Sequence, residues 1–520
     1  MRARFPRPDL FYVALPLCAL VAVLGLVSPT LLEAWARYLV STAFRGLDWF
    51  FLATTSGFVL LSLWLGFGRY GSVKLGRGND EPEFSTASWL SMLFAAGMGV
   101  GLLFWGVAEP VNHFSAPPLG EGGTGEAARR ATVYTLFHWG LHAWGVYCLS
   151  GLVLAYFGFR FGAPHLAGTP IRHIFRGRWV GPVAWMADLV AVLAVAFGVA
   201  GSTGTGVMQL QAGLHAVAGV PLHSAAWAFA ILGVLVVTYL SSAITGLDKG
   251  IKWLSNLNML VAVALVLFLL VVGPTAFLLR GLFTAVGDYL SSLVTLSLQL
   301  FPYEKPGEWP SQWLETWTLT NFVWWIAWAP FVGVFIARVS KGRTIREFVL
   351  GVLFVPAVFS LLWFVVFGGT AIHEELYGAG GMERLVREDV TAALFALFDR
   401  LPAPTLLGVT AVLLAFIFLV TSLNSATFVL GMLTSGGSPD PSIRRQLAWG
   451  FGLGALGAAL LLSGNVHALR AVSISGAIPF ILILLLQVVA LVRGLAIEFP
   501  RRGLPESGPP DGSAIPEEGA

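Results

Sequence analysis

Charge is what this chain has least of. Lys, Arg, Asp and Glu make up 11% of its 520 residues, against about 25% in soluble domains. Hydrophobic residues make up 56%, with a mean hydropathy of +0.78, so a soluble globular domain is excluded. Cysteine is scarce as well. Cys18 and Cys148 are the only two, and both lie in apolar runs, so neither a disulfide framework nor a zinc ribbon can be built from them. The net charge of +3 is too small to mark a nucleic-acid binder.

What the chain has in abundance is apolar runs of membrane length, about 20 residues each. Twelve spans are predicted, near 10–30, 47–67, 86–110, 131–158, 181–213, 224–243, 253–279, 318–338, 346–370, 404–433, 446–464 and 470–494. The first follows Arg2, Arg4 and Arg7 without a small-residue cleavage site, so it reads as a retained helix rather than a secretory signal. The segment 281–300 is too amphipathic to span comfortably and is expected to lie along the membrane surface. With both termini inside, 21 of the 31 Lys and Arg residues fall on the inner face, among them Arg160, Arg172, Arg338, Lys341 and Arg343. Glu374, Glu375, Glu383, Glu388 and Asp389 face outward. That is the positive-inside bias. The last residues are rich in Pro, Gly and acid and read as a short disordered tail.

Residues 321–348 concentrate unusual chemistry. Trp324, Trp325 and Trp328 sit in an apolar span, Pro330 interrupts it, and Arg338, Lys341, Arg343 and Arg346 close it. Indole faces attract a cation that cannot donate hydrogen bonds by roughly 0.5–2 kcal/mol per ring. A broken membrane helix is tolerated where its freed backbone is buried in protein or lines a wet cavity. The third span carries AAGMGVG at 95–101, where Gly97, Gly99 and Gly101 weaken the helix and free backbone amides for an anionic group. Spans three to seven and eight to twelve thus form two sets of five, each opening with an interrupted helix, the pattern of a transporter site built from inverted repeats. The predicted organisation is an N-terminal tail with two added helices (1–80), a first repeat (81–279), a surface helix with an outer loop (280–317), a second repeat (318–495) and a cytoplasmic tail (496–520).

Other positions invite competing readings. His138 and His142 stand at i, i+4, as metal ligands can, which would suit a membrane metalloenzyme; no neighbouring carboxylate or cysteine is expected to complete such a site, and structural histidines are the expectation. Trp144 and Tyr147 share a helix face, with Trp139 about 140° round from Trp144. They fit a cage with Trp325 or an ordinary aromatic belt. Thr421, Ser422, Asn424 and Ser425 offer neutral oxygens in the tenth span, fit for interhelical hydrogen bonds or for a hard cation such as sodium. Glu109 and Asp188 lie near span ends and are expected to cap helices or meet the interface. A channel would need rings of charge or carbonyl filters, and none is visible.

Together GMGVGLLFWGVAEPVNHF (97–114), FHWGLHAWGVY (137–147), SNLNM (255–259) and WWIAWAPFVGVFIARVSKGRTIREF (324–348) resemble the betaine/carnitine/choline transporter (BCCT) family, over nearly the whole chain. The resemblance implies an all-α integral membrane protein of the LeuT-like 5+5 inverted-repeat fold, with two extra N-terminal helices, assembled as a homotrimer in the cell (inner) membrane. It would import a trimethylammonium compound by alternating access, as a transporter and not an enzyme, and with no cofactor beyond a coupling ion. It places the aromatic box on Trp139, Trp144, Tyr147 and Trp325, with Trp324 and Trp328 as companions along the path. Gly97, Gly99 and Gly101 would meet the substrate carboxylate. A sodium site would use the carbonyls of Ala95, Met98 and Phe418 and the hydroxyls of Thr421 and Ser422.

Several positions depart from the family pattern. Val195 and Val199 stand where sodium-coupled relatives have a second-site pair of threonines, although Phe331 is kept; Met259 stands near where sodium-independent exchangers place an arginine. One sodium ion, or a proton, is the expected driver. The long basic tail of osmosensing relatives is replaced by acids and prolines after Arg493, Arg501 and Arg502, which argues against strong osmotic gating. Gly101 occupies the position where choline importers carry an aspartate, so the expected substrate is a zwitterion such as glycine betaine, with a proton-coupled choline importer or a carnitine/butyrobetaine exchanger as alternatives. Replacing Gly101 by Asp is expected to raise choline uptake into proteoliposomes relative to glycine betaine; unchanged choline uptake would refute this account of selectivity.

Overall fold

The computed structural model describes residues 9–97, 99–245, 248–305, 307–462 and 466–500. Apart from an isolated bridge between Lys74 and Thr344, regular structure among these residues is entirely helical. The first half runs α1 (Phe11–Val27), α2 (Pro29–Phe67), α3 (Thr86–Gly97), α4 (Val100–Ser115), α5 (Gly125–Trp139), α6 (Leu141–Phe161), α7 (Thr169–Ile174), α8 (Val180–Ala218), α9 (Ala225–Thr245), α10 (Asp248–Val272) and α11 (Thr275–Ser297). The second half runs α12 (Ser311–Leu314), α13 (Thr320–Val339), α14 (Ile345–Val349), α15 (Val355–Tyr377), α16 (Met382–Glu388), α17 (Ala393–Phe398), α18 (Pro404–Thr434), α19 (Ile443–Leu461), α20 (Val466–Ser475) and α21 (Phe480–Glu498). Single π-helical turns, Glu315–Leu319 and Leu350–Phe354, join α12 to α13 and α14 to α15.

Among the described residues nine helical stretches are long and apolar enough to cross a membrane, and α1 and the Asn256–Val272 part of α10 are shorter apolar helices. This is the build of a multi-pass membrane protein. The segment expected on the surface, α11, meets the same length and apolarity criterion, although it is among the least buried of them. Helix α2 has 39 residues, about 58 Å at 1.5 Å per residue, longer than a bilayer core. Its backbone leaves helical geometry at Leu47 (φ −133°, ψ 18°), where the second span was predicted to begin.

Interruptions fall only partly where the sequence suggests. The third span does break: α3 ends at Gly97, Gly99 is extended (φ −144°, ψ −179°), and α4 starts at Val100. The eighth does not. Pro330 lies inside the continuous helix α13, which a membrane helix tolerates when neighbouring helices enclose it. Here α6 and α8 pack against α13, and the Ser150 hydroxyl on α6 donates to the Ala329 carbonyl at 2.8 Å. Three breaks were not foreseen. The seventh span divides at 273–274 between α10 and α11. The fourth span divides at Gly140 (φ −96°, ψ −132°) between α5 and α6, and the twelfth divides at 476–479 between α20 and α21.

Helices approach closely where side chains are absent. A Cβ added to Gly201 or Gly204 of α8 would lie about as near as 2.4 Å and 2.5 Å to Ser473 and Leu469 of α20, the small-residue packing that replaces the hydrophobic effect inside lipid. Helix α13 lies against both α6 and α8, and α4 lies between α5 and α15 and also touches α18. The middle of the molecule is therefore α4, α5, α6 and α13.

The last helix is pinned to the first half. Arg160 donates its Nε to Glu498 at 2.8 Å and its Nη1 to the carbonyls of Lys74 and Gly76 at 2.9 and 3.0 Å, while the Tyr156 hydroxyl donates to Glu498 at 2.7 Å. Arg160 and Glu498 side chains are each 11% exposed, so Glu498 belongs to an anchored helix and the predicted tail cannot start before it. Residues 501–520 of that tail lie outside the described residues. Arg160→Ala leaves a mostly buried carboxylate unpaired and is expected to destabilise the protein by roughly 3 kcal/mol, read as a lowered melting temperature in detergent; an unshifted melt would show that the pin carries no load.

Candidate functional site

The four residues assigned to an aromatic box meet. Trp139 ends α5, Trp144 and Tyr147 belong to α6, and Trp325 belongs to α13. Trp325 stands 5.3 Å from Trp139, 5.2 Å from Tyr147 and 6.4 Å from Trp144, centroid to centroid, and Trp144 is 5.5 Å from Tyr147. Most of these pairs are edge-to-face, and the four side chains are 1–9% exposed. On an unbroken helix Trp139 would point away from Trp144. The break at Gly140 turns it inward, which periodicity could not reveal.

The indole N–H groups orient the rings. Trp325 Nε1 donates to the His138 carbonyl at 2.9 Å, and Trp139 Nε1 donates to Glu109 Oε2 at 2.8 Å. Tying down the polar edge leaves the ring faces for the box. Trp144 Nε1 is buried with no hydrogen-bond partner among the described residues.

The glycine break lies against this box. A Cβ on Gly101 would sit 3.3 Å from Cη2 of Trp139, whereas no described atom comes within 4 Å of one on Gly99. Gly97 ends α3, and its surroundings are not described. Trp324 and Trp328 are not brought into the box. Trp324 lies 5.4 Å under the Arg470 guanidinium, and Trp328 pairs with Phe331 at 5.5 Å on the side toward Gly198.

Of the sodium-site residues, Met98 lies outside the described residues and Ala95 is in the last turn of α3. Phe418, Thr421 and Ser422 follow one another on α18. Thr421 donates its hydroxyl to the Ile417 carbonyl at 2.9 Å, with the Phe418 carbonyl at 3.2 Å. A hydroxyl whose proton is engaged this way keeps its lone pairs available. Val195 and Val199 are buried at 1% and 2% and offer no side-chain oxygen, and the Val199 carbonyl already accepts from Thr203 at 2.8 Å.

His138 and His142 do not act as a pair. His142 Nε2 lies 3.2 Å from the Ser56 hydroxyl and 3.1 Å from that of Ser297, and its ring stacks on Phe322. His138 turns to Glu109 (Nδ1 to Oε1, 2.7 Å) and to Thr318 (Nε2 to Oγ1, 2.9 Å). The break between them puts the two rings on separate helices. Asp188 does take the predicted structural role, accepting from the Gly168 amide at 2.6 Å and Arg172 at 2.7 Å.

Glu109 is the residue the sequence reading misplaced. It is not at an interface but 0% exposed on α4, with Oε1 toward His138 and His113 (3.4 Å) and Oε2 toward Trp139. Near it Arg470 of α20, 3% exposed, stacks on Trp105 at 4.7 Å, Trp324 at 5.4 Å and Trp317 at 5.6 Å. The signal was present: a carboxylate and an arginine within apolar helices are functional by default, and Glu109 and His113 share a face at i, i+4.

An aromatic cage beside a broken helix, inside a multi-pass helical protein, has the construction of a secondary transporter site. The chain belongs to the betaine/carnitine/choline family transporters (BCCT), whose profile matches residues 9–499. It is a transporter, not an enzyme. It is 40% identical to the glycine betaine transporter OpuD of Bacillus subtilis, over 94% of each chain. It is likewise 40% identical to the ectoine/hydroxyectoine transporter of Virgibacillus pantothenticus, over 94% of this chain and 96% of that one. It is 36% identical to the high-affinity choline transport protein of Escherichia coli K12, over 95% of this chain and 73% of that one.

Thr318→Val removes the partner of His138 Nε2 at nearly constant volume. It is expected to cost about 1–2 kcal/mol, visible as an earlier thermal melt; an unchanged melt would mean that His138 is satisfied elsewhere.

Proposed function

We propose that the chain imports a zwitterionic trimethylammonium compound, glycine betaine fitting best, by alternating access. The observation that carries this reading is the convergence of Trp139, Trp144, Tyr147 and Trp325 with the glycine break against Trp139. The ring faces hold the methylated nitrogen, which needs no hydrogen bonds, and unwound amides around Gly97, Gly99 and Gly101 receive the carboxylate at the start of α4. Trp324 and Trp328 line the path on either side. Ectoine, a cyclic amidinium carboxylate, carries N–H groups that call for acceptors. Rings whose polar edges are already bonded suit it less, so the trimethylammonium reading is preferred. Choline brings a cation without its own anion, and Gly101 adds none.

The fold accompanying this reading has twelve spans with both termini cytoplasmic. They form two inverted repeats (81–279 and 318–495), preceded by two added helices, with α11 lying along the membrane and three copies assembling. Uptake is coupled to one sodium ion held by the Ala95, Met98 and Phe418 carbonyls and the Thr421 and Ser422 hydroxyls. The ion would supply positive charge that favours the loaded arrangement of α3 and α18. A second sodium ion lacks support because Val195 and Val199 offer only methyl groups.

The test is uptake of labelled glycine betaine, choline and carnitine into proteoliposomes under imposed sodium or proton gradients. Sodium-driven glycine betaine uptake is expected, and drive by a proton gradient alone would replace the sodium assignment. Trp325→Leu is expected to weaken glycine betaine binding about tenfold, within the range of one ring's cation–π contribution; unchanged affinity would count against the cage.

A further inference from the structure

Buried anions need a reason, and Glu109 has an unusual neighbourhood. It has no solvent exposure, and its two oxygens serve different purposes. Oε1 faces His138 Nδ1 at 2.7 Å and His113 Nε2 at 3.4 Å, while Oε2 accepts the Trp139 indole N–H at 2.8 Å. The next residue along the chain from Trp139, counting back, is His138, whose carbonyl accepts the Trp325 indole N–H. Two of the three indoles of the box are thus held by one Glu109–His138 unit. We infer that Glu109 is a positioning and specificity-determining residue of the cage: an anion behind Trp139 that fixes the ring and strengthens its hold on a cation according to its charge.

The physics is direct. An ionised acceptor makes a stronger hydrogen bond than a neutral one, and a negative charge at the N–H edge drives electron density toward the indole face that meets the ammonium. In a low-dielectric interior the same charge also attracts the ammonium itself. The charged and titratable groups that face Glu109 are His113 on its own helix, His138 on α5 and Arg470 on α20; His142 on α6 acts on His138. Helix α15, on the other flank, brings Trp363 to the Leu102 carbonyl, Phe364 to Trp139 and Gly368 to Pro110. Arg470, stacked on Trp105, Trp317 and Trp324, offsets only part of that charge.

A bare cation feels the carboxylate's charge fully. A zwitterion feels it less, because its own carboxylate is repelled.

This inference rests on the reading of the box as a trimethylammonium site. The test is the affinity of full-length protein in detergent for choline and glycine betaine. Glu109→Gln keeps an acceptor for Trp139 and removes the charge. It should weaken choline about tenfold, within the usual range of coupling between sites, and glycine betaine several-fold less. Should that variant not fold, Trp139→Phe, which keeps a ring but has no N–H for Glu109, decides: it too should weaken choline more than glycine betaine. Equal losses for both ligands would overturn the role of Glu109. Binding of neither ligand by the wild type would instead overturn the reading of the box, and this role with it.

Discussion

A buried indole must place its N–H, and that requirement organises the centre of this protein. Trp139 finds Glu109, Trp325 finds the His138 carbonyl and Trp363 finds the Leu102 carbonyl. Each bond consumes the polar edge of a ring and leaves its faces free to meet other rings. The aromatic box therefore depends on acceptors outside it, and those acceptors lie on α4 and at the end of α5. The cage is supported by a polar network as much as by packing.

Helix breaks supply the other half of the geometry, and they show why glycine and proline are not equivalent signals. Pro330 removes one backbone N–H, yet α13 runs on because α6 and α8 hold the helix on two sides. Gly140 removes no hydrogen-bonding group but permits a backbone turn that redirects Trp139. The turn puts His138 and Trp139 on one helix and Trp144 and Tyr147 on the next, so the box is built from three directions rather than from one helical face.

Electrostatics in the membrane interior follow the same economy of partners. Four ionisable side chains, Glu109, His113, His138 and Arg470, are buried within one neighbourhood, and each is met by an opposite charge, a hydroxyl or an aromatic face. Arg470 rests on three indoles, a resting place for a guanidinium that needs no second carboxylate. The hydroxyls of Thr421 and Ser422 on α18, by contrast, are neutral and leave no fixed charge in lipid.

The membrane class, the family, the glycine break in the third span and the four aromatic residues that meet around Trp325 were all legible in the sequence. Each rests on local composition or on a motif whose residue types dictate their chemistry. The interruption expected at Pro330 was not there, because proline's effect depends on what lies beside it in space. The roles of Glu109, His138 and Arg470 were hidden for the same reason. Residues 109, 138 and 470 are far apart in the chain, and only packing of α4, α5 and α20 decides that one carboxylate satisfies two imidazoles and an indole. Sequence by itself determined which chemistries were available to this protein; tertiary structure decided which of them meet, since a buried polar group takes its function from its partners.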